Sequence, residues 1–426
     1  MSRLLKDLDE LVTRGIITQE TSTRIQQYYD QPKSGVSRMV IAFGIVGALL
    51  VGMGIVMILA HNWDEFSNFV KLTFGLLPML VSQLICGVLI AKKSTSSAWR
   101  EASSVLLIFS VATAISIVAQ VYNISTDSLS GFLLAWMILC IPIPYLLQSR
   151  IASLLCWVGI TWYALDVGFG FSGTSAPVYY WALAAALLPY YILEVKRAPD
   201  SNGVALHNWL IAISTATILG LTNFSADSLI APTYISLFAL FILIGQLPPF
   251  INRRVMTNGW LVIGSGSMIV LLLFFTFEWP DLLGQDLSWW FGPQIFIWIG
   301  LFAAACFLLF TIGKERGYKN VLSKSYTHII FMPLFMIGID NPGLAVLLTN
   351  VLILALGVYT IREGALADKL WKMNYGLLIL SILIACRFFD TDMSFVLRGL
   401  LFVAIGIGFF AMNFYMMRKR KTIAAR

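Results

Sequence analysis

Long apolar runs set the terms for this chain. Fourteen of them are read at roughly 39–60, 69–91, 102–122, 128–148, 150–167, 176–194, 204–222, 232–251, 257–277, 291–312, 325–340, 342–361, 371–388 and 394–416. A helix needs about 20 mostly apolar residues to cross the hydrocarbon core of a bilayer. In lipid every backbone N–H and C=O must be paired internally, so only helices and closed barrels span. Barrel strands alternate apolar and polar residues, and these runs are continuous. The expectation is an all-α, polytopic membrane protein with about 14 transmembrane helices. Composition agrees: 12% of the 426 residues are charged and 58% are hydrophobic, against roughly 25% charged in a soluble domain. A soluble globular enzyme, a disordered chain and a nucleic-acid binder are excluded as main readings.

The cations give an independent view of topology, because cytoplasmic loops collect Lys and Arg. With the N-terminus inside and the spans alternating, 26 of the 29 cations fall on the inner side. Only Lys71, Arg387 and Arg398 fall on the outer side. The 22 acids divide evenly between the two sides. This predicts a membrane protein with both termini cytoplasmic. The net charge of +7 then marks one face of the membrane, and the basic tail at 417–426 anchors at anionic lipid.

Residues 1–38 form the one sizeable soluble segment, longer than the leading region of a signal peptide. Leu4, Leu5, Leu8, Leu11 and Val12 recur at helical spacing. Gly15 stands where a C-terminal cap belongs. Thr18 is placed to cap a second helix carrying Ile25, Tyr28 and Tyr29, which Pro32 and Gly35 end. The reading is a cytosolic amphipathic hairpin whose apolar faces dock on the bundle, on the membrane or on a protein partner. The five cysteines lie inside apolar runs and read as buried small hydrophobes.

A weak repeat with a period of four spans is visible. Asn123-Ile-Ser-Thr-Asp-Ser-Leu129 after span 3 parallels Asn223-Phe-Ser-Ala-Asp-Ser-Leu229 after span 7. Spans 4 and 8 end in Pro142-Ile-Pro144 and Pro248-Pro249, each with arginine after it, and His207 and His328 lie near the starts of spans 7 and 11. Parallel repeats at 102–194, 204–312 and 325–416 behind a leading pair at 39–91 are one reading, known in transporters. The other is chance recurrence of turn residues.

Ionisable groups within or beside spans are costly and are site candidates by default. Lys71 follows Asn62, Trp63, Asp64 and Glu65, while Arg387 and Arg398 flank Asp390 and Asp392. On one reading the three cations converge on a phosphate or carboxylate, with Arg suited to bidentate contact. On the other, each pairs with one of those four acids. Gln120 and Tyr122 end span 3 on the same side, either as a ligand-facing rim or as cross-helix hydrogen-bonding groups. Trp63, Trp136, Trp279, Trp289 and Trp290 read as interfacial belt residues. Gly44, Ala48 and Gly52 form a small-residue packing stripe in span 1. His207 and His328, with no carboxylate at helical spacing, read as satisfied structural groups. No phosphate loop, dinucleotide fingerprint, zinc signature or serine elbow is present, so no cofactor, metal or catalytic residue is called.

The hairpin ending at Tyr28-Tyr29, Ala60-His-Asn62-Trp63 followed by Lys71, and Ala119-Gln120-Val-Tyr122 together resemble the bacterial domain-of-unknown-function 2157 membrane proteins. Arg387-Phe-Phe-Asp390, Arg398-Gly399 and Arg418-Lys-Arg-Lys421 resemble the end of its long members. The resemblance covers about the first 150 residues well and the last 70 less so. It implies an inner-membrane architecture and no activity. It marks Asn62, Trp63, Lys71, Gln120, Tyr122, Arg387, Asp390 and Arg398 as family-pattern positions. The leading expectation is a transporter or translocator of a small anionic or lipid-linked substrate. A membrane scaffold or sensor acting through residues 1–38 and an intramembrane transferase are the alternatives.

Overall fold

The computed structural model describes residues 10–30, 63–92, 96–124, 129–170, 176–222, 229–251, 253–277 and 294–390, with Leu8, Trp279 and isolated positions between 396 and 414. The described residues are 88% helical and contain no strand. The chain divides into two compact units, Met1–Lys71 and Leu72–Arg426.

In the first unit, Gly15 stops a helical turn at residues 10–13. Its φ of 67° is left-handed, a conformation that costs glycine little because it has no Cβ. The turn closes with Ile16 N–H on the Leu11 carbonyl at 3.0 Å and Gly15 N–H on the Val12 carbonyl at 2.9 Å. Thr18 then caps α1 (Gln19–Asp30), its Oγ1 accepting from Thr21 N–H at 3.3 Å. Exposed pairs one turn apart, Arg14–Glu10 and Arg24–Glu20, contribute about 0.2–0.5 kcal/mol each. A 3₁₀ turn at Trp63–Glu65 leads into α2 (Asn68–Ala91), and the boundary between the units falls in the first turn of that helix.

The second unit continues with α3 (Ser97–Val121), α4 (Leu129–Cys140), α5 (Pro142–Leu147), α6 (Arg150–Phe169), α7 (Val178–Arg197) and α8 (Asn202–Leu221). There follow α9 (Ile230–Ile244), α10 (Pro248–Ile251), α11 (Gly259–Phe274), α12 (Gln294–Arg316), α13 (Tyr318–Asp340), α14 (Pro342–Leu366) and α15 (Leu370–Asp390). The antiparallel pair α14–α15 packs most closely, α9 lies against α11 and α12, and α6 lies against α4 and α8. Small residues permit these approaches. A Cβ on Gly376 would stand 2.8 Å from the Gly357 carbonyl, and one on Gly364 would stand 2.5 Å from Met373 N.

Among the described residues, eight helices are long and apolar enough to cross a membrane, and four shorter apolar ones accompany them: Ile230–Ile244, Gly259–Phe274, Ile330–Asp340 and Leu370–Cys386. The second to thirteenth expected runs each coincide with one of these. The run 39–60 lies outside the described residues, as does most of 394–416. The count of about 14 spans is therefore not established, and length and composition support eight. The run 128–148 is two helices rather than one, because Pro142 lacks an N–H and restarts the helix as α5. Phe74, Leu77, Leu80 and Leu84 of α2 are exposed, which gives the helices their lipid-contacting surface.

Two of the expected belt tryptophans are instead packed inward. Trp136 lies midway along its span and donates from Nε1 to the Ile108 carbonyl of α3 at 2.8 Å. Trp279 is buried and stacks on Phe331 with centroids 5.8 Å apart. Trp289, Trp290, the Gly44–Gly52 stripe, the tail 417–426 and much of the two repeat loops lie outside the described residues.

Candidate functional site

Successive helices alternate in direction, so the cations Arg100, Arg150, Lys196, Arg197, Arg253 and Arg254 mark one end of the second unit. Here helices that start at this end are capped by side chains. Ser96, Ser149, Ser201 and Asn258 accept from the backbone N–H groups of Trp99, Ala152, Val204 and Leu261. Unsatisfied N–H groups at a helix start are costly away from water, and these residue types answer them locally.

A carboxylate from another helix completes the start of α6. Glu101, in the first turns of α3, accepts from Arg150 N–H and Ile151 N–H at 3.0 Å each and from the Ser149 hydroxyl. A negative charge at a helix N-terminus also matches the macrodipole. Beside it, Arg150 Nε donates to Glu194 Oε2 of α7 at 2.6 Å. Glu194 is almost fully enclosed, whereas the Arg150 side chain is 41% exposed. One layer deeper, His207 of α8 has both ring nitrogens occupied, Nδ1 at 2.8 Å from the Gly203 carbonyl and Nε2 at 2.9 Å from Ser153 Oγ. A carbonyl only accepts, so Nδ1 carries the proton and Nε2 accepts from Ser153. Tyr191 donates to Asn208 Oδ1 at 2.6 Å and accepts from Trp260 Nε1 at 2.9 Å, tying α7, α8 and α11 together.

The backbones also close up at this end. A Cβ on Gly259 would lie 2.6 Å from Trp209 N and 2.7 Å from its Cα. Tyr145 of α5 reaches one rung of the α7 ladder, next to Pro189. Its hydroxyl accepts from Tyr190 N–H at 3.2 Å and donates to the Ala186 carbonyl. An inserted side chain beside a proline is a recognised cause of helix bending.

The opposite end differs. The last turns of α3 and the start of α4 border an open concavity of about 710 Å³, lined by Ser116, Ala119, Gln120, Asn123, Ile124, Leu129 and Phe132. Gln120 is exposed, and its side-chain amide has no protein partner among the described residues. Asn123 holds a left-handed φ of 48°, which asparagine tolerates better than most residues. None of the described lining residues is ionisable.

The candidate residues read from the sequence distribute as follows. Gln120 lines the concavity and Tyr122, two residues on in the chain, is 65% exposed. In the first unit, Asp64 and Glu65 are exposed in the 3₁₀ turn. Lys71 places its ammonium 5.7 Å from the centroid of Trp63, a cation–π distance, and makes no ion pair with either acid. Arg387 and Asp390 occupy the last turn of α15, but their side chains, together with Asn62, Arg398 and Asp392, lie outside the described residues. The grouping of the three outer-side cations stays an expectation. Glu101, Arg150, Glu194 and Tyr145 were not singled out from the sequence. Their partners lie 41 to 50 residues away, beyond any helical spacing. A hint existed in the acids at span ends, each within three residues of a cation.

Among the described residues no group of three or more His, Cys, Asp or Glu could hold a metal ion. Cys86, Cys140 and Cys156 are buried free thiols.

No curated protein and no solved structure matches the chain. The resemblance at the closing stretch, around Arg387 and Arg398, lies outside the matched family segment. That segment contains the hairpin, the Glu101 cap and the Gln120 concavity: residues 9–153 match the family model described as predicted membrane protein, the domain of unknown function 2157.

Proposed function

We propose that this multi-pass membrane protein moves an amphiphilic or lipid-linked substrate across the bacterial inner membrane, admitting it at the face opposite the basic end. One observation carries the reading, the contrast between the two ends of the second unit. The basic end is tied by hydrogen bonds between α3, α6, α7, α8 and α11, and the other bears an open, mixed polar and apolar concavity. One closed end and one open end is what a carrier resting in one of its two access states requires. In this reading the basic end faces the cytoplasm. Gln120 and Tyr122 of the second unit contact the substrate, and Arg387 and Arg398 contact any anionic part of it; taken by itself, the first unit offers Asn62, Trp63 and Lys71 as a candidate anion contact. Asp390 and Asp392 are the ion-pair partners of Arg387 and Arg398.

The test is a dithionite assay on proteoliposomes carrying a fluorescent short-chain phosphatidylglycerol. Expected is a bleached fraction above one half that depends on the protein and falls with Gln120→Ala and Lys71→Ala at equal protein level. A fraction fixed at one half with well-folded protein overturns the reading for this lipid class.

A scaffold reading has one observation in its favour: Ile16 at the hairpin turn is 64% exposed, between the charged residues Arg14 and Glu20. It expects Ile16→Asp to abolish function in cells while leaving lipid movement in vesicles unchanged.

A further inference from the structure

We infer that the concavity at Gln120 takes an uncharged, hydroxyl-bearing headgroup, a glycerol or a sugar, whose acyl chain runs along Leu129 and Phe132. The inference rests on the reading that this end of the second unit admits substrate, and it specifies the part of the substrate held here.

Four features lead to this class. First, the described lining residues include no acid and no base, so none of them offers a counter-ion to repay the lost hydration of a charged group. Second, Gln120 and Asn123 supply carboxamides. Each amide both donates and accepts, which matches a hydroxyl, itself donor and acceptor. A phosphate only accepts and would leave the amide oxygens facing its negative charge. The Gln120 amide has no protein partner among the described residues, so these bonds are available without breaking others. Third, Leu129 and Phe132 make the opposite wall apolar. Phe132 is backed by Trp136 at a centroid distance of 5.9 Å, and Trp136 is itself fixed to the α3 backbone by its indole N–H. A wall braced in this way holds its shape against a chain laid along it. Fourth, the site lies at the ends of α3 and α4, two helices long and apolar enough to span once α4 is taken with α5. That is the depth at which a lipid places its headgroup. The volume of about 710 Å³ falls within the ordinary range for small-ligand sites.

The experiment measures equilibrium binding of three radiolabelled probes to the full-length protein in phosphatidylcholine nanodiscs. The probes are 1-oleoylglycerol, an oleyl glucoside and 1-oleoylglycerol-3-phosphate. Saturable binding of at least one of the first two is expected, and which one saturates distinguishes glycerol from sugar. Gln120→Ala should weaken that probe at least fivefold and change the phosphate probe less than twofold. Phe132→Ala should weaken the neutral probe similarly, and Gln120→Asn should keep part of the affinity. An unchanged melting temperature for Gln120→Ala confirms that the fold is intact, as expected at an exposed position. The inference is overturned if neither neutral probe saturates, or if Gln120→Ala affects the phosphate probe as strongly as the neutral one. Binding is read without flux. Intact binding with a failed dithionite assay defeats the transport reading alone, and lipid movement with no Gln120 dependence of binding defeats this inference alone.

Discussion

The two ends of the second unit are built on different principles. At the basic end, contact between helices is direct. Backbone meets backbone at Gly259, a carboxylate of α3 caps α6, and a buried carboxylate of α7 holds Arg150. At the opposite end, contact runs through side chains. A Cβ on Gly168 would meet the side chain of Leu221, at 2.8 Å from Cδ1 and 3.2 Å from Cβ, and one on Gly220 the Tyr234 hydroxyl, at 2.5 Å. Far ends of side chains can swing aside, whereas backbone cannot. The difference teaches where motion and ligand access belong: the basic end is stiff, and the end with the Gln120 concavity is adaptable.

The largest effect should come from testing that stiffness. Gly259→Ala drives a methyl into the Trp209 backbone, and overpacking of this kind costs about 3 kcal/mol. A clear fall in the melting temperature of purified protein is expected, against a small change for Gly168→Ala. Equal losses at both glycines would dissolve the comparison.

Arg150→Ala comes next, because it leaves the enclosed Glu194 carboxylate unpaired. Breaking a fully buried pair costs about 3–5 kcal/mol, and the partial exposure of Arg150 reduces this to about 2 kcal/mol, screened by solvent. The paired substitution with Glu194→Leu should recover part of the loss in a double-mutant cycle. Additive losses would mean that the pair does not act as one.

Glu101→Ala removes three accepted hydrogen bonds at the start of α6 and should cost about 1–2 kcal/mol. Faster amide hydrogen exchange confined to the first turn of α6 is the signature to look for. Tyr145→Phe, which takes away the hydroxyl lodged in the α7 ladder, should cost about 1 kcal/mol, with faster exchange at Tyr190 as its local mark.

Much of the architecture was legible in the sequence, since hydrophobicity is a property of a segment. The runs from 69–91 to 371–388 each coincide with a helix, and Gly15 and Thr18 act as the stop and start that their chemistry implies. His207, expected as a satisfied group, has both nitrogens bonded. The joints between helices were not legible. Glu101 reaches a helix that begins 49 residues later, and nothing in the intervening spacing encodes that. Trp136 was placed at the interface because tryptophans collect there, but the Ile108 carbonyl on α3 gave its indole a partner in the interior. The run 128–148 was read as one span, although Pro142 restarts the helix within it. Of the site, Gln120 was readable from its position at a span end, and its freedom from partners was not.

The difference in access between the ends can be measured directly with single cysteines introduced at Gln120 and at Ser104. Ser104 lies 2.7 Å from Ser149 inside the tied end. Both variants are treated with a membrane-impermeant maleimide in unsealed membranes, so that either face can be reached. The account predicts rapid labelling of Gln120→Cys and protection of Ser104→Cys until the protein is denatured. Equal rates at the two positions, or faster labelling at Ser104→Cys, would contradict it.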